Sequence, residues 1–288
     1  MIQLDHVTYT YPQAKHPALS DISLEITESS LVAIVGPSGA GKSSLCALLA
    51  GFIPHHFHGI LQGRALVHGQ DIANTPLAEL VTHVGYVFQN PFTQLSGAKL
   101  TTREEIAFGL ENLGVPRLEM AERVDRVIEL FSLRDIANRS PYEISGGEMQ
   151  RVALASIFVM KPRVLVLDEP TAQLDPLGAR QVFEAIRTLT NTQSVTVIIV
   201  EDKTEWIATF ADRVITLHEG RVVLDGSPDA VLTSPLLAEI GIRVSHYTQA
   251  ARAASRHRLW PSELALPTTL DKAIDGFKRA RKKYENLG

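Results

Sequence analysis

The sequence predicts an α/β fold whose mixed β core carries an inserted α-helical subdomain and an antiparallel β edge. Short apolar runs, typical of strands buried on both faces of a sheet, alternate with helical patterns along much of the chain. A helical block at residues 103–131 interrupts this alternation, which indicates the insertion. Two strand-like segments on either side of Glu219 and Gly220 predict the antiparallel edge. The apolar runs cover residues 31–35, 84–88, 163–167 and 194–200.

The chain opens with a strand-like segment at residues 2–11, followed by a turn and by alternating apolar residues at 22–26. Within this opening, Tyr11 is our candidate to stack on a purine ring, because its aromatic face suits a nucleobase. An aromatic cross-strand pair is the alternative for this side chain.

A glycine-rich loop follows the first buried strand and fits G-x-x-x-x-G-K-[S/T], the phosphate loop of P-loop NTPases. Glycines let the backbone wrap an anion closely, and the helix that follows carries positive partial charge at its N-terminus. Lys42 is expected to contact the β- and γ-phosphates, and the Ser43 hydroxyl to ligate Mg²⁺. A plain Gly/Ser turn is the alternative, which the flanking strand and helix argue against. The loop consists of Gly36, Pro37, Ser38, Gly39, Ala40, Gly41, Lys42, Ser43 and Ser44.

Three polar residues follow two of the buried strands. Asp168 and Glu169 end the apolar run at 163–167, where Asp168 can hold Mg²⁺ and Glu169 can orient or deprotonate water. Gln89 ends the run at 84–88 and could contact Mg²⁺ or the attacking water. An ordinary strand-end amide is the alternative for Gln89, and acids that merely cap a strand are the alternative for the carboxylates.

The segment Ser145, Gly146, Gly147 and Glu148 runs into an apolar helix. Ser145 and Glu148 have the spacing of a capping box, which is the structural explanation for this pair. A cap does not require two glycines, however. Glycines beside a helix N-terminus also allow the backbone to approach an anion, so the segment is a second candidate phosphate contact.

Composition narrows the classes of function. A chain of 288 residues with 45% hydrophobic and 21% charged residues is ordinary for a globular protein. The net charge of −4 offers no electrostatic basis for non-specific nucleic-acid binding, so no nucleic-acid partner is expected. The single cysteine, Cys46, excludes an internal disulfide. Residues 43–63 carry no formal charge but contain proline and histidines, so we expect no transmembrane span and only a peripheral membrane role.

Three histidines, His55, His56 and His58, lie close together in a turn-rich loop. Their spacing does not match a tetrahedral zinc site, and no second His or Cys group completes one. We expect a solvated or interface loop here.

The order of these motifs resembles the nucleotide-binding subunit of ABC transporters. Residues 144–150 match its signature motif, Gln89 its Q-loop and Asp168–Glu169 its Walker B pair. The resemblance implies a P-loop ABC ATPase domain with the mixed β core, helical subdomain and antiparallel edge described above. It also implies that ATP and Mg²⁺ lie between the phosphate loop of one subunit and the signature of a second. The resemblance thus places residues 145–147 opposite the other chain's γ-phosphate.

A narrower resemblance links the chain to the ATPases of energy-coupling factor (ECF) transporters. Residues 88–91, 104–114 and 266–273 carry it. It implies an importer of a vitamin or a transition-metal ion, in which two ATPases drive an integral membrane T-subunit and a substrate-binding S-subunit. The ATPase then lies at the cytoplasmic face of a prokaryotic cell membrane as a peripheral subunit.

One position departs from the family pattern. A histidine that contacts the γ-phosphate usually follows the strand at 197–200, and Asp202 stands in its place. A carboxylate there repels phosphate unless it is protonated or bridged by Mg²⁺. Lys203 could substitute if the loop shifts by one residue. We therefore expect a slow site. The second ATPase subunit can be another copy of this chain or a different one, and one prediction is a heterodimer whose other ATPase carries the histidine.

The motifs predict an ABC ATPase domain at residues 1–235, with its helical subdomain at about 92–160. A small C-terminal helical extension at residues 236–288 is expected to contact the dimer partner or another subunit. A basic cluster at 278–283 is either a solvated face or a contact with protein or anionic lipid. The alternatives are a conventional ABC transporter ATPase, a regulatory partner that does not hydrolyse ATP, and a soluble ABC ATPase acting on ribosomes or DNA.

Overall fold

The computed structural model describes residues 1–285 and contains two β-sheets surrounded by helices. Its strands are Ile2–Thr10 (β1), Leu19–Ile26 (β2), Leu31–Val35 (β3), Ile60–Val67 (β4), Gln70–Asp71 (β5), Val84–Val87 (β6), Val164–Asp168 (β7), Thr196–Val200 (β8), Arg213–His218 (β9) and Arg221–Gly226 (β10). Its helices are Lys42–Leu49 (α1), Phe52–His55 (α2), Leu77–Leu80 (α3), Thr102–Asn112 (α4), Arg117–Leu130 (α5), Gly146–Phe158 (α6), Pro176–Gln193 (α7), Thr204–Phe210 (α8), Pro228–Leu232 (α9), Leu236–Glu239 (α10), His246–Arg256 (α11) and Leu270–Glu285 (α12).

The larger sheet has six strands in the order β10-β9-β3-β8-β7-β6, and the smaller has four in the order β2-β1-β4-β5. In the larger sheet, neighbouring strands are parallel except at one edge, where β10 pairs with β9 in the predicted antiparallel arrangement. Because parallel strands end at the same side of a sheet, the loops after β3, β6, β7 and β8 meet at one edge. The phosphate loop, Gln89, the Asp168–Glu169 pair and Asp202 lie at this edge, whereas Tyr11 follows β1 and the segment 145–148 precedes α6.

The core lies on both faces of the six-stranded sheet, which explains the continuous apolar runs. Successive side chains of a strand point to opposite faces. Thus Leu31, Ala33 and Val35 of β3 pack with the helical subdomain and α7, whereas Val32 and Ile34 pack with α1 and the smaller sheet. Every residue of β3, β7 and β8 is buried.

The helical block predicted at 103–131 consists of two helices, α4 and α5. Gly114 has φ 68° and Pro116 precedes α5, so the chain turns between the helices. Thr101 and Glu104 form a capping box at the start of α4. Together with α6, these helices make the subdomain inserted between β6 and β7.

The C-terminal segment packs through α11 and α12. Thr248 donates a hydrogen bond to the carbonyl of Pro267, and Trp260 contacts Phe277 edge-on at 5.0 Å. Lys272 forms an ion pair with Asp229 of α9, at 2.6 Å. In the predicted basic cluster, Arg279 pairs with Asp275 and Lys283 with Glu263. Among residues 1–285, no helix is both long and apolar enough to cross a membrane.

Candidate nucleotide-binding site

The phosphate loop joins the end of β3 to the start of α1. Its backbone is left-handed at Gly39 (φ 79°) and Gly41 (φ 98°), and a Cβ on Gly41 would lie 2.5 Å from the carbonyl oxygen of Ala18. The buried Lys42 Nζ donates to the carbonyl oxygens of Gly36 at 2.6 Å and Pro37 at 3.2 Å. A phosphate can compete for this ammonium, because a hydrogen bond between two charged groups is stronger than one to a neutral carbonyl.

Asp168 lies at the end of β7 and is only 4% exposed. Its Oδ2 accepts a 3.3 Å hydrogen bond from the Tyr86 hydroxyl, and the carboxylate also accepts one from Ser43. Its Oδ1 has no hydrogen-bond partner in the part of the chain that the structure describes. Burial raises the pKa of this carboxyl, although the hydrogen bonds and the Lys42 charge oppose that shift. A buried, unpaired carboxylate oxygen beside a hydroxyl fits Mg²⁺, which prefers oxygen ligands.

Glu169 follows Asp168 and lies close to Gln89. Its backbone is left-handed (φ 48°), and its N–H donates to the carbonyl of Val200 at 3.0 Å. The Gln89 amide nitrogen donates to Glu169 Oε2 at 2.6 Å. Burial, followed by the charge of Asp202, raises the pKa of Glu169, and the Gln89 bond lowers it in part. A carboxylate with a raised pKa is a better base for water than one with its ordinary value.

Tyr11 lies beside the phosphate-loop helix. Its hydroxyl is 3.1 Å from the Ser44 hydroxyl, which ties the end of β1 to the start of α1. Its ring contacts Tyr9 edge-on at 4.8 Å and Phe57 at 6.1 Å. Tyr9 belongs to β1, which Tyr11 follows, and Phe57 belongs to the histidine-bearing loop, so this aromatic cluster is not a cross-strand pair. In that loop, His55 Nε2 is 2.8 Å from the carbonyl oxygen of Ile72.

Residues 145–148 form the capping box of α6. The Ser145 N–H and hydroxyl both donate to Glu148 Oε2 at 2.8 Å, and the Glu148 N–H donates to Ser145 Oγ at 3.3 Å. These hydrogen bonds lower the pKa of Glu148. A Cβ on Gly146 would lie 2.8 Å from Oε1 of Gln173, so this glycine also permits a close approach to the segment before α7. Within residues 1–285, none of these side-chain bonds reaches the chain's own phosphate loop.

The segment after β8 contains a second pair of acids, Glu201 and Asp202. Glu201 is 3% exposed and accepts hydrogen bonds from the Thr171 hydroxyl and from the N–H groups of Asp202 (3.0 Å) and Lys203 (3.2 Å). Lys203 Nζ donates to the carbonyl and hydroxyl oxygens of Thr171 at 2.8 and 3.2 Å. In this structure the Lys203 ammonium is held by Thr171, and the hypothesis that Lys203 substitutes for the missing histidine after a one-residue shift of the loop stays a prediction. Asp202 is exposed and lines a cavity with Gly36, Pro37 and Ser38.

The structure thus brings Lys42, Ser43, Gln89, Asp168, Glu169 and Asp202 to one edge of the sheet. Sequence reasoning missed Tyr86 and Thr171, which hold Asp168 and Lys203. Tyr86 occupies a position inside an apolar strand, where an aromatic residue predicts only packing. Burial raises the pKa of its hydroxyl, which acts as a hydrogen-bond donor to Asp168.

The chain resembles known proteins in sequence and in structure. A family described as ABC transporter matches residues 19–172. A protein of Pyrococcus abyssi, named as an ABC transporter ATP-binding protein, is 44% identical over 245 residues, which is 85% of this chain and 87% of that protein.

Two solved structures extend the comparison. The structure of cbiO1 from Clostridium perfringens, part of the ABC transporter complex cbiONQ, superposes with a TM-score of 0.72 at 27% identity. It covers 89% of this chain and 98% of cbiO1. The dimeric ATP-binding cassette MJ0796, in a post-hydrolysis state bound to ADP and Pi, gives a TM-score of 0.71 at 26% identity and covers 79% and 99% of the two chains.

These similarities confirm the predicted ABC ATPase fold of mixed sheet and helices. The matched region contains the phosphate loop, Gln89, the signature turn and the Asp168–Glu169 pair. The chain belongs to the ABC transporter family and is an ATP-binding ATPase of that family.

Proposed function

We propose that this chain is the ATP-hydrolysing subunit of an ECF-type importer for a vitamin or a transition-metal ion. The observation that carries the proposal is a set of three exposed apolar side chains, called here the apolar patch: Phe92 and Leu100 in the segment after Gln89, and Tyr142, whose hydroxyl lies near Gly97 of that segment. The Gln89 amide contacts Glu169. The narrower ECF assignment is supported by the sequence features at 104–114 and 266–273, and by the similarity to cbiO1. We further propose that the subunit is peripheral, at the cytoplasmic face of a prokaryotic membrane.

The side chains at the sheet edge support ATP and Mg²⁺ as ligands. Asp168 Oδ1, the Ser43 hydroxyl and the Gln89 amide oxygen would hold Mg²⁺, which neutralises charge on the β- and γ-phosphates when bound. Lys42 would exchange its bonds to the carbonyls of Gly36 and Pro37 for bonds to phosphate. Tyr11, already beside Ser44, is our candidate for the face of the purine ring.

Glu169 is our candidate for the residue that activates water. Its raised pKa suits a general base, and the Gln89 amide fixes its Oε2 before any nucleotide arrives. Gln89 cannot donate to Glu169 and also rotate freely toward a bound cation. A change in the Gln89 contact therefore links nucleotide binding at the site to the segment that follows Gln89.

The signature turn is proposed to complete the site of a second subunit. Its Ser145–Glu148 capping box leaves the glycines at the start of α6, where backbone N–H groups and the helix dipole favour an anion. This supports a dimer in which each ATP is sandwiched, as the dimeric form of MJ0796 also suggests. The second ATPase is either another copy of this chain or a different subunit.

The apolar patch is our candidate docking surface for the T-subunit, which in turn would move the S-subunit. It consists of Phe92, Leu100 and Tyr142, which are 56%, 84% and 59% exposed. Phe92 and Leu100 lie between Gln89 and α4, and a Cβ on Gly97 would lie 3.3 Å from the Tyr142 hydroxyl. Exposed apolar side chains grouped in this way mark protein interaction sites.

Co-purification with the T- and S-subunits encoded by neighbouring genes tests this function. We expect the wild-type chain to co-purify with them in detergent, and a Phe92→Asp, Leu100→Asp double variant to lose the complex, because charges in an apolar interface are costly. Leu118→Asp is the matched control, since Leu118 of α5 is equally exposed at 84%. Hydrolysis by the isolated double variant should stay within about twofold of wild type.

Retention of the T-subunit by the double variant would contradict the docking surface. Failure of the wild-type chain to bind these subunits at all would contradict the ECF assignment and favour a conventional ABC transporter ATPase. Asp202 favours a second candidate, a slow or regulatory member of a heterodimeric pair. Steady phosphate release by the purified chain alone would exclude the alternative that this chain is a regulatory subunit that does not hydrolyse ATP.

A further inference from the structure

The candidate site has an excess of negative charge on the side where Asp202 lies. Asp168, Glu169 and Asp202 bring carboxylates to the same sheet edge, and ATP adds its own charge. Lys42 is the cation of the phosphate loop. Lys203, the residue next to Asp202, is held by Thr171. A further cation near Asp202 would reduce the repulsion of a terminal phosphate.

A cavity of about 450 Å³ adjoins the phosphate loop on this side, and Arg243 of the C-terminal extension lines it. The lining residues are Gly36, Pro37, Ser38, Asp202, Gly241, Ile242 and Arg243. Arg243 therefore shares one cavity with the first half of the phosphate loop and with the carboxylate that occupies the histidine position. Arg243 is the cationic residue among those that line the cavity.

The backbone on both sides of Arg243 is held firmly. The Ile242 N–H donates to the carbonyl of Leu237 at 2.7 Å, and Ile242 packs against the main core. Val244 and Ser245 are buried, and the Gln249 amide donates to the carbonyl of Val244 at 2.8 Å. Arg243 itself is exposed. A fixed backbone with an exposed side chain lowers the entropy lost when the guanidinium binds a ligand.

We propose that Arg243 binds the terminal phosphate of ATP and offsets the charge of Asp202. A guanidinium suits this role because it stays charged and can donate two parallel hydrogen bonds to phosphate oxygens. The C-terminal extension would then contribute to this chain's own nucleotide site in addition to any contact with a partner. This inference rests on ATP binding by the family and does not depend on the ECF assignment.

Nucleotide affinity of the isolated full-length chain tests the inference. MANT-ADP serves as the fluorescent probe, and ADP and the non-hydrolysable analogue AMP-PNP compete with it in the presence of Mg²⁺. We expect Arg243→Gln to weaken AMP-PNP binding about tenfold or more and ADP binding less than about twofold, because ADP lacks the terminal phosphate. Arg243→Lys should keep most of the wild-type chain's affinity for AMP-PNP relative to ADP. Arg258→Gln, at another exposed arginine of the extension, should leave both affinities unchanged.

ADP affinity also reports that the phosphate loop remains folded in each variant. Adding Asp202→Asn to Arg243→Gln should restore part of the AMP-PNP affinity, because it removes the carboxylate that Arg243 offsets. Equal losses for AMP-PNP and ADP, or no loss for either, would overturn the role of Arg243. Neither result would touch the docking of the T-subunit, which is measured separately.

Discussion

Two consecutive acids lie at the C-terminal end of each of the neighbouring strands β7 and β8, and their surroundings differ: Asp168 ends β7 and Glu169 follows it, whereas Glu201 and Asp202 both follow β8. Asp168 and Glu201, the first acid of each pair, are 4% and 3% exposed. Glu201 accepts hydrogen bonds from Thr171, Asp202 and Lys203, whereas Asp168 keeps one oxygen unpaired within residues 1–285. Equal burial therefore does not mean an equal role. A carboxylate with its acceptors filled holds the local fold, and one with a vacant acceptor is suited to bind a cation.

The second acids also differ. Glu169 accepts a hydrogen bond from Gln89, whereas Asp202 is exposed and faces the cavity shared with Arg243. The two are electrostatically coupled, because the charge of Asp202 helps to raise the pKa of Glu169. We therefore propose that Asp168 and Glu169 take part in the chemistry, whereas Glu201 supports the loop after β8 and Asp202 raises the pKa of Glu169.

The largest expected effect is that of Glu169→Gln. The amide keeps the shape of the side chain but cannot accept a proton from water, so turnover should fall about 10²–10⁴-fold while ATP binding is retained. Phosphate release and equilibrium binding of ATP measure the two properties. Asp202→Asn, the corresponding swap in the other pair, should change turnover near neutral pH far less. Unchanged hydrolysis in Glu169→Gln would remove it as the base.

Amide swaps at the two buried acids should change stability in opposite directions. The pKa of Asp168 is higher in the folded protein than in the unfolded chain, so the folded protein binds the carboxyl proton more tightly. The contribution of Asp168 to stability therefore falls as the pH rises from the unfolded-state pKa to the folded-state pKa. Asp168→Asn should therefore raise the free energy of unfolding at neutral pH without nucleotide, and this gain should vanish at acid pH. Glu201→Gln should lower it by about 1 kcal/mol, because the amide has one acceptor oxygen in place of two and cannot accept from the Thr171 hydroxyl on one side and from the Asp202 and Lys203 N–H groups on the other.

Urea unfolding of both variants measures these two opposite changes in the free energy of unfolding. Glu184→Gln, at an exposed site, serves as the control. A stabilised Glu201→Gln variant would contradict the structural role of Glu201. A destabilised Asp168→Asn variant at neutral pH would contradict the prediction that the buried, ionised Asp168 carboxylate lowers the stability of the folded protein.

The smallest effect should be a shift in pH dependence. Asp202 raises the pKa of Glu169, and a base acts only when deprotonated. Asp202→Asn should therefore lower the pKa of Glu169 and move the acid limb of the turnover profile to lower pH. The profile of kcat against pH measures this, with Glu205→Gln as a control on the following helix. An unchanged acid limb would show that the two carboxylates are not coupled during turnover.

The sequence by itself determined the elements whose physics is local. The phosphate loop needs glycines at left-handed positions such as Gly41, and a buried parallel strand needs an uninterrupted apolar run such as 164–167, so both are visible in a short window. The family resemblance likewise rested on short motifs in a fixed order. The turn between α4 and α5 also has a local cause, in Gly114 and Pro116.

Only the tertiary structure decided which polar groups satisfy each other. Gln89 meets Glu169 across 80 residues of chain, and Tyr86 meets Asp168 across 82. Lys203 is held by Thr171, and Arg243 lines the same cavity as Asp202 because the C-terminal extension folds back to the phosphate loop. Hydrogen-bond partners far apart in sequence leave no periodic signal. Tertiary packing therefore decides whether the acceptor oxygens of a carboxylate are hydrogen-bonded, unpaired or close to another charge. Its hydrogen bonds and neighbouring charges in turn decide the role of the carboxylate.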